Sequence, residues 1–445
     1  MNGHPNRSQS WREFQKASRR GMRKRRILSR LPWVGFWLVA FSLMLGILFY
    51  SGTWLSAHLS QTDCESEAKP RDEAREPQRL TRQDAQELLR ETDLSTPPFH
   101  EKYALVRNGE RLLVETSLDP ALQTFVHDLL SRSLTIRASM AVLNPATGQV
   151  LAMADYENGN RRGNGSSCLR ADYPAASLFK IVTAAAAIQG RGLSPESTMT
   201  LRGRKYTLYR SQLSDVEGRS DTRMTLKEAF SESINPIFGK IGIHELGKDL
   251  TGEYAERFLF NRPIPFDLPL AVSPIHIPED DFGLAEIASG FNKTTMISPL
   301  HAALLSAAVA NRGAIMEPWL IKQITDEKNA ILYSRNPATL ANPMSAKTAG
   351  MMRELMYETV VKGTARKAFR LMQKKKSLHA IELGAKTGTI NDPVDQNRVD
   401  WITAYAIPEG EEGGICLAGL AIHGEKSGHR AKDMVRAVIE HYFSP

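Results

Sequence analysis

Apolar and polar positions divide the chain into one unbroken apolar run, a polar stretch, and a long region of short alternating runs. The unbroken run covers residues 31–55 and holds no charged side chain in 25 positions. About 20 apolar residues span a bilayer, and aromatic residues gather toward both ends of this run, as at membrane interfaces. The pattern predicts a single transmembrane helix. A cleavable signal peptide is the alternative, although its apolar and basic regions would both be shorter.

Residues 56–115 are mostly polar and charged, and several prolines interrupt them. A short helix is predicted at about 81–92, because Thr81 and Asp84 have the spacing of a capping box. A hairpin is predicted at 103–114, where Asn108-Gly109 is the favoured two-residue turn. We interpret 56–115 as an extracytoplasmic stalk with a short hairpin and little core of its own.

From residue 116 onward, the alternation of short apolar runs with amphipathic stretches is typical of a mixed helix and strand domain. Helices are predicted at 119–133, 176–188, 225–233, 283–312, 345–362 and 430–442. Strands are predicted at 139–143, 149–154, 381–390, 400–407 and 414–423. Two early and three late strands predict an α+β fold class, with one five-stranded antiparallel sheet flanked by helices and shared by both ends of the region.

The formal charge of +8 is concentrated at the N-terminus. Residues 1–30 hold ten Lys or Arg and one Glu, so they contribute +9 and the other 415 residues contribute −1. We interpret 1–30 as a cytoplasmic basic tail, which places the remainder of the chain outside the membrane. Because the basic charge belongs to a tail and not to a domain, no nucleic-acid partner is expected.

Three cysteines, Cys64, Cys168 and Cys416, lack the spacing of a metal motif or of a disulfide framework. The histidines form no ligand pattern either. The sequence therefore predicts no metal and no cofactor, and we interpret Cys168 as a loop thiol.

Candidate chemistry first appears in the apolar stretch 176–188, which Pro174 precedes and Gly190 follows, as at the two ends of a helix. Ser177 and Lys180 are its polar residues at the start, and residues three apart lie on one helical face. Burial favours a neutral amine, which can take a proton from a hydroxyl. The pair therefore indicates an activated serine nucleophile. A helix cap beside a snorkelling lysine is the alternative, and the same spacing recurs by chance at Ser66.

Two further motifs follow in the chain. Ser233-Ile234-Asn235 is expected to end the second helix of the region, and residues 386–389, Lys-Thr-Gly-Thr, lie in the first late strand. Similar short motifs at 334–336 and 347–350 lack this setting. The ordered set, each member on a suitable helix or strand, is far more specific than any one motif.

The three motifs resemble those of the penicillin-binding proteins, the serine D,D-transpeptidases, which share them with class A β-lactamases. The resemblance extends over about 116–445, since residues 144–153, 297–303 and 361–365 are also similar to the family pattern. It implies a transpeptidase domain at 116–445 with an all-helical subdomain beside the sheet. The 56–115 segment is too short for the glycan-polymerising domain that two-domain relatives carry there.

Side-chain chemistry and the resemblance together suggest the catalytic roles. The candidate catalytic residues are Ser177, Lys180, Ser233, Asn235 and Lys386. Ser177 would attack a peptide carbonyl, Lys180 would accept its proton, and Ser233 would relay a proton to the leaving amine. Lys386 and Asn235 would help to keep the Lys180 amine neutral.

An oxyanion hole is expected from the N–H groups of Ser177 and Thr389, the second as the resemblance implies. Thr387, Gly388 and Thr389 are the expected substrate-binding residues. The two hydroxyls, with Lys386, suit a terminal carboxylate, and Gly388 lets the substrate lie close to the strand.

We therefore expect a peptidoglycan D,D-transpeptidase anchored in the bacterial cytoplasmic membrane, with its catalytic domain in the periplasm. It would cross-link stem peptides through a Ser177 acyl-enzyme, release D-alanine and be blocked covalently by β-lactams. Expected partners are peptidoglycan stem peptides, β-lactam antibiotics, the bacterial inner membrane and other proteins of cell-wall synthesis. A D,D-carboxypeptidase and a catalytically weak β-lactam-binding scaffold or sensor are the alternatives.

Overall fold

The computed structural model of the chain describes residues 79–444, apart from gaps at 93, 95–96, 159–165, 217, 376–377, 411–413 and 426–427. The predicted tail at 1–30 and the predicted transmembrane run at 31–55 lie outside the described residues. Within the described ranges, no helix has both the length and the hydropathy that a membrane crossing requires.

The structure contains helices and strands close to most of the predicted positions. The strands are β1 Lys102–Arg107, β2 Glu110–Thr116, β3 Arg137–Leu143, β4 Val150–Glu157, β5 Tyr173–Pro174, β6 Thr198–Leu201, β7 Thr222–Thr225, β8 Met296–Ile297, β9 Ile315–Met316, β10 Ile321–Asp326, β11 Ile331–Ser334, β12 Thr339–Ala341, β13 Ile381–Asn391, β14 Arg398–Pro408 and β15 Ile415–His423. The α-helices are α1 Arg82–Arg90, α2 Pro120–Ser131, α3 Lys180–Arg191, α4 Leu226–Ser231, α5 Asn235–Lys240, α6 Gly247–Arg257, α7 Asp281–Ser289, α8 Pro299–Ala310, α9 Ala346–Val361, α10 Arg366–Phe369 and α11 Ala431–Phe443.

The central sheet has five antiparallel strands in the order β13-β14-β15-β3-β4. Strand β15 joins the two ends of the domain, because Gly419 lies opposite Met140 and Ile422 lies opposite Arg137. All nine residues of β15 are buried, which explains its nearly continuous apolar sequence. The predicted α+β class with a shared five-stranded sheet is confirmed.

Helices cover both faces of this sheet, as the alternation of its strands requires. On one face, Met140 and Val142 pack with apolar residues of α2 and α11. On the other face, Ala141 and Leu143 belong to a larger core that includes α3 and α8. The nucleophile helix α3 thus shares one core with this face of the sheet and with the helical region 226–289.

The segment interpreted as a stalk is packed against the domain over its described part. Helix α1 begins with the predicted capping box, and the predicted hairpin is β1 and β2. Strand β2 also pairs with β10 in a second sheet of order β1-β2-β10-β11, which the sequence analysis did not predict. Leu88 of α1 and Val114 of β2 join the main core. The apolar side chains of this segment therefore contribute to the domain, where the sequence indicated little core.

Two predicted helix boundaries differ from the structure. Helix α4 ends at Ser231, and Asn235 begins the next helix, so the Ser-Ile-Asn motif connects two helices. Ser233 has a φ of +59°, which turns the chain sharply there. The expected long helix 283–312 is two helices, because Gly290 ends α7 in the left-handed region.

Candidate functional site

Ser177 lies in a 3₁₀ turn, Ala176–Phe179, that leads directly into α3. Ala176 has a φ of +49°, an unusual conformation for a residue with a Cβ atom. The turn leaves Ser177 partly exposed, whereas Lys180 at the start of α3 is completely buried. An accessible hydroxyl thus sits beside an amine withdrawn from water.

The Lys180 amine makes three polar contacts. Its Nζ lies 2.9 Å from Ser177 Oγ and 2.8 Å from Asn235 Oδ1, and it also donates to the Ser289 carbonyl. The orientation of the Asn235 amide follows from its other contact, because Nδ2 donates to the Tyr206 carbonyl at 3.1 Å. Asn235 Oδ1 and the Ser289 carbonyl can only accept hydrogen bonds. In a neutral Lys180 amine, both N–H groups are therefore donated to these two oxygens. The remaining lone pair then faces the Ser177 hydroxyl.

The neutral amine is also the form that the surroundings favour. Burial lowers the pKa of Lys180 well below its usual value, and the charge of Lys386 lowers it further. Proton acceptance by a neutral lysine, predicted from the sequence, is therefore consistent with the contacts and the electrostatics.

Lys386 forms a second buried pair with Ser233. Its Nζ donates to Ser233 Oγ at 2.8 Å and to the Thr387 carbonyl at 2.9 Å. Burial lowers the pKa of Lys386 to about 7. Ser233 is thus bonded to a lysine that can exchange a proton near neutral pH, as a proton relay requires.

Strand β13 runs directly against the nucleophile turn. A Cβ atom on Gly388 would lie 3.2 Å from Ala176 Cβ and 3.3 Å from the Ser177 nitrogen. The sequence predicted that this glycine lets the substrate approach the strand. The structure shows that it also allows the strand and the nucleophile turn to approach each other. Thr389 follows it on the same strand, and the oxyanion hole formed with Ser177 stays a prediction.

The threonine hydroxyls of β13 have partners that the sequence did not indicate. Thr387 Oγ1 lies 2.6 Å from Thr364 Oγ1, and Thr389 Oγ1 lies 3.3 Å from Asp400 Oδ1. Asp400 is buried and forms a two-bond ion pair with Arg430, at 2.6 and 2.8 Å. These neighbours hold the two side chains that were expected to bind a substrate carboxylate.

A cleft of about 830 Å³ opens onto Ser177, and Ser233, Asn235, Gly388 and Thr389 line it too. The structure therefore brings the residues of all three motifs together. Within the described part of the chain, no group of three His, Cys, Asp or Glu side chains is arranged to hold a metal ion.

Cys168 does not belong to the cleft chemistry. It is completely buried, and its Sγ donates to the carbonyls of Met140 and Ala154. Burial raises the pKa of this thiol well above its usual value. The residue is an inert core thiol.

Other residues of the site carry little sequence signal. Ser289 contributes only a backbone carbonyl, and Gly290 resembles any glycine that ends a helix. The partners of Thr387 and Thr389 lie elsewhere in the chain, and nothing in their local sequence distinguishes Thr364 or Asp400.

Comparison with known proteins gives a family match over most of the chain. A model of the penicillin binding protein transpeptidase domain matches residues 138–439. The chain is 24% identical to peptidoglycan D,D-transpeptidase PbpA of Mycolicibacterium smegmatis over 326 residues, 66% of this chain and 64% of that protein. It therefore spans just under two thirds of the length of this relative. Mycobacterium tuberculosis PbpA is also 24% identical, over 364 residues, 74% of this chain and 72% of the relative.

Solved structures show the same fold. An imipenem acyl-enzyme complex of penicillin-binding protein A from M. tuberculosis has a TM-score of 0.63 at 23% identity, over 74% of this chain and 79% of that one. The D,D-transpeptidase domain of a peptidoglycan glycosyltransferase from Eggerthella lenta has a TM-score of 0.62 at 22% identity, over 74% and 82%.

Proposed function

Because this chain belongs to the penicillin-binding protein transpeptidase domain family, we propose that it is a peptidoglycan D,D-transpeptidase that acts through a Ser177 acyl-enzyme. The observation that carries the proposal is the arrangement around Lys180. Its two acceptor-only partners, Asn235 Oδ1 and the Ser289 carbonyl, leave the lone pair for the Ser177 hydroxyl. A scaffold without turnover would not need this arrangement.

In the proposed reaction, Ser177 Oγ attacks the carbonyl carbon of the terminal D-alanyl-D-alanine bond while Lys180 takes the hydroxyl proton. The C–N bond breaks, and the leaving amine receives a proton through Ser233, which is bonded to Lys386. D-alanine departs. The amine of a neighbouring stem peptide then attacks the ester, forming the cross-link and restoring Ser177.

The same attack accounts for inhibition by β-lactams. Opening the lactam amide acylates Ser177, but the cleaved amine stays attached to the acyl group and keeps its place in the cleft. An acceptor amine cannot enter, so the ester persists. The M. tuberculosis relative is described as an acyl-enzyme complex with imipenem.

We also propose that the domain works outside the bacterial cytoplasmic membrane, held by a helix at residues 31–55. The support is the sequence: an apolar run long enough to span a bilayer follows a basic tail. Fractionation of the full chain, with protease accessibility of the domain in spheroplasts, tests this location.

Labelled penicillin and product analysis test the activity. Penicillin should label the wild-type protein and Ser334→Ala, which removes an exposed serine outside the cleft, but not Ser177→Ala. With a stem-peptide donor and an acceptor, dimeric product with released D-alanine supports a transpeptidase. Release of D-alanine without dimers supports the D,D-carboxypeptidase, and labelling of Ser177→Ala contradicts the assignment of Ser177 as the nucleophile.

A further inference from the structure

Four basic side chains line the cleft, and we call them the cationic wall: Arg366, Lys367, Arg398 and Lys432. None of them forms an ion pair with any residue that the structure describes. The other cations that line the cleft are already neutralised. Lys362 pairs with Glu358 at 3.0 Å, and Arg430 pairs with Asp400.

The positive charge is a property of the cleft and not of the domain as a whole. Residues 31–445 together carry a net charge of −1, yet among the described residues that line the cleft Asp400 is the one acidic side chain. Burial lowers the pKa of Lys432, and the charge of Arg430 lowers it further. Asp433 and Asp400 act in the opposite direction, and Lys367 adds the smallest lowering effect. Like charges held close together in a cleft repel one another, which raises the free energy of the empty cleft. A bound anion offsets this repulsion.

The cationic wall is connected to the substrate-binding strand by hydrogen bonds. Lys432 Nζ donates to the Thr364 carbonyl at 3.2 Å, and Thr364 Oγ1 lies 2.6 Å from Thr387 Oγ1. Thr387 precedes Gly388, whose backbone contacts the nucleophile turn. The wall therefore begins where the leaving D-alanine of the proposed reaction would place its carboxylate.

The acceptor must use that same place. Its nitrogen attacks the acyl carbon from the position that the leaving nitrogen vacates, so the atoms next to the acceptor amine occupy the space of the departed D-alanine. We propose that the cationic wall binds a carboxylate of the acceptor, and that the preferred acceptor is an amine with a carboxylate on the same or the adjacent carbon. This inference rests on the proposed transpeptidase function.

Transfer of the acyl group to the acceptor needs no reactant besides the acyl-enzyme and the acceptor amine. The acceptor nitrogen forms a C–N bond to the acyl carbon as the bond to Ser177 Oγ breaks. The proton lost by the nitrogen passes through Lys180 to Ser177 Oγ. The wall takes no part in this proton transfer; it holds the acceptor in position for attack.

Glycine and glycinamide form a matched pair of acceptors for the test. The acyl-enzyme is formed from a donor peptide ending in D-alanyl-D-alanine, and aminolysis is measured against hydrolysis at several pH values, with rates expressed per free amine. Glycine should react at least about tenfold faster than glycinamide, because a charge-assisted hydrogen bond contributes about 1.5–3 kcal/mol. Added salt should reduce the preference.

The wall variants test which residues carry the preference. The double variant Arg366→Gln with Lys367→Gln removes two exposed charges whose side chains form no hydrogen bond to the residues that the structure describes, and Lys432→Met removes a third charge of the wall. Each variant should lower the ratio of the glycine rate to the glycinamide rate about tenfold relative to the wild type, because the charge-assisted contact is lost. Lys328→Met, an exposed lysine in the β10–β11 turn, should leave the preference unchanged. If the substitutions slow both acceptors equally, they have damaged the site in general and not a carboxylate contact. That result would overturn the inference.

Binding to Ser177→Ala separates this inference from the proposed function, because binding needs no acylation. Glycine should shift cleft resonances in NMR titrations at lower concentration than glycinamide, and the wall variants should remove the difference. If the wild-type protein releases no D-alanine while this difference persists, the proposed function fails and the wall assignment stands. Equal binding and equal reaction of the two acceptors overturn the wall assignment.

Discussion

A Cβ atom on Gly290 would lie 2.0 Å from the carbonyl oxygen of Ala176, the residue before the nucleophile, and 3.0 Å from the Ser177 nitrogen. Gly290 also has a φ of +66°, and the residue before it, Ser289, accepts a hydrogen bond from Lys180. The end of α7 thus supports the nucleophile and its base at the same time.

Gly290→Ala should therefore displace the nucleophile turn. We expect acylation by labelled penicillin to slow about a hundredfold, because a shift of about 1 Å at a reacting group can have that effect. Gly350→Ala is the matched control: that glycine lies within α9 with open space around it, so alanine should stabilise the helix and leave acylation unchanged. Normal acylation by Gly290→Ala would contradict the proposed support.

Lys180→Met should abolish most acylation while the protein stays folded. Loss of a positioned base typically reduces rates by about 10²–10⁴-fold, and methionine fills much of the space of the buried stem. Stopped-flow or gel-based acylation, together with circular dichroism, measures both effects. Lys240→Met removes another buried lysine, which bonds to Thr200, and should lower the melting temperature without this loss.

The pH dependence of acylation should follow two lysines with opposite requirements. Lys180 must be neutral, and its lowered pKa makes that form more abundant at a given pH than in an exposed lysine. Lys386 must be protonated, and its pKa of about 7 means that this form is lost as pH rises. The acylation rate should decline on the alkaline side of about pH 7. A rate that still increases above pH 8 would show that the Lys386 charge is not needed.

Asp400→Asn should destabilise the domain at neutral pH. Burial alone would raise the pKa of Asp400, but its bonds to Arg430 and to the Ala431 N–H hold it well below the usual range. A carboxyl with a lowered pKa stabilises the fold above its unfolded pKa, and this stabilisation is lost on acidification. We expect a loss of about 3–5 kcal/mol in unfolding free energy at pH 7, typical of breaking a buried ion pair.

Urea unfolding of the Asp400→Asn protein at pH 7 and pH 3 measures this effect, and the difference from wild type should be smaller at pH 3. Asp395→Asn changes an exposed carboxyl in the β13–β14 connection and should be nearly neutral at both values. A pH-independent loss in Asp400→Asn would contradict the role of its charge.

The sequence alone was sufficient for the elements whose signals are local. The capping residue Thr81, the turn Asn108-Gly109 and the apolar runs of β14 and β15 each predicted their elements. The second sheet was missed because β10 is largely polar and β11 has only four residues, and the pairing of β10 with β2 depends on contacts across the domain.

The residues of the site also divide into those that the local sequence indicates and those that only the fold brings into place. Ser177 and Lys180 could be predicted because their spacing within a helix makes them neighbours. The Ser289 carbonyl could not, since every residue has a carbonyl and only the fold selects one. The cationic wall draws its members from α10, β14 and α11, and no window of sequence contains them together.

The pairing of β3 with β15 makes the order of synthesis matter. While the ribosome is still extending the chain, the Ser177 helix and the edge of β3 emerge long before the strand that covers that edge. An uncovered strand edge invites pairing with other chains, and such distant contacts fold slowly. A nascent chain released before residue 415 would therefore be a target for holdases and proteases, and would carry its serine without the sheet that makes it reactive.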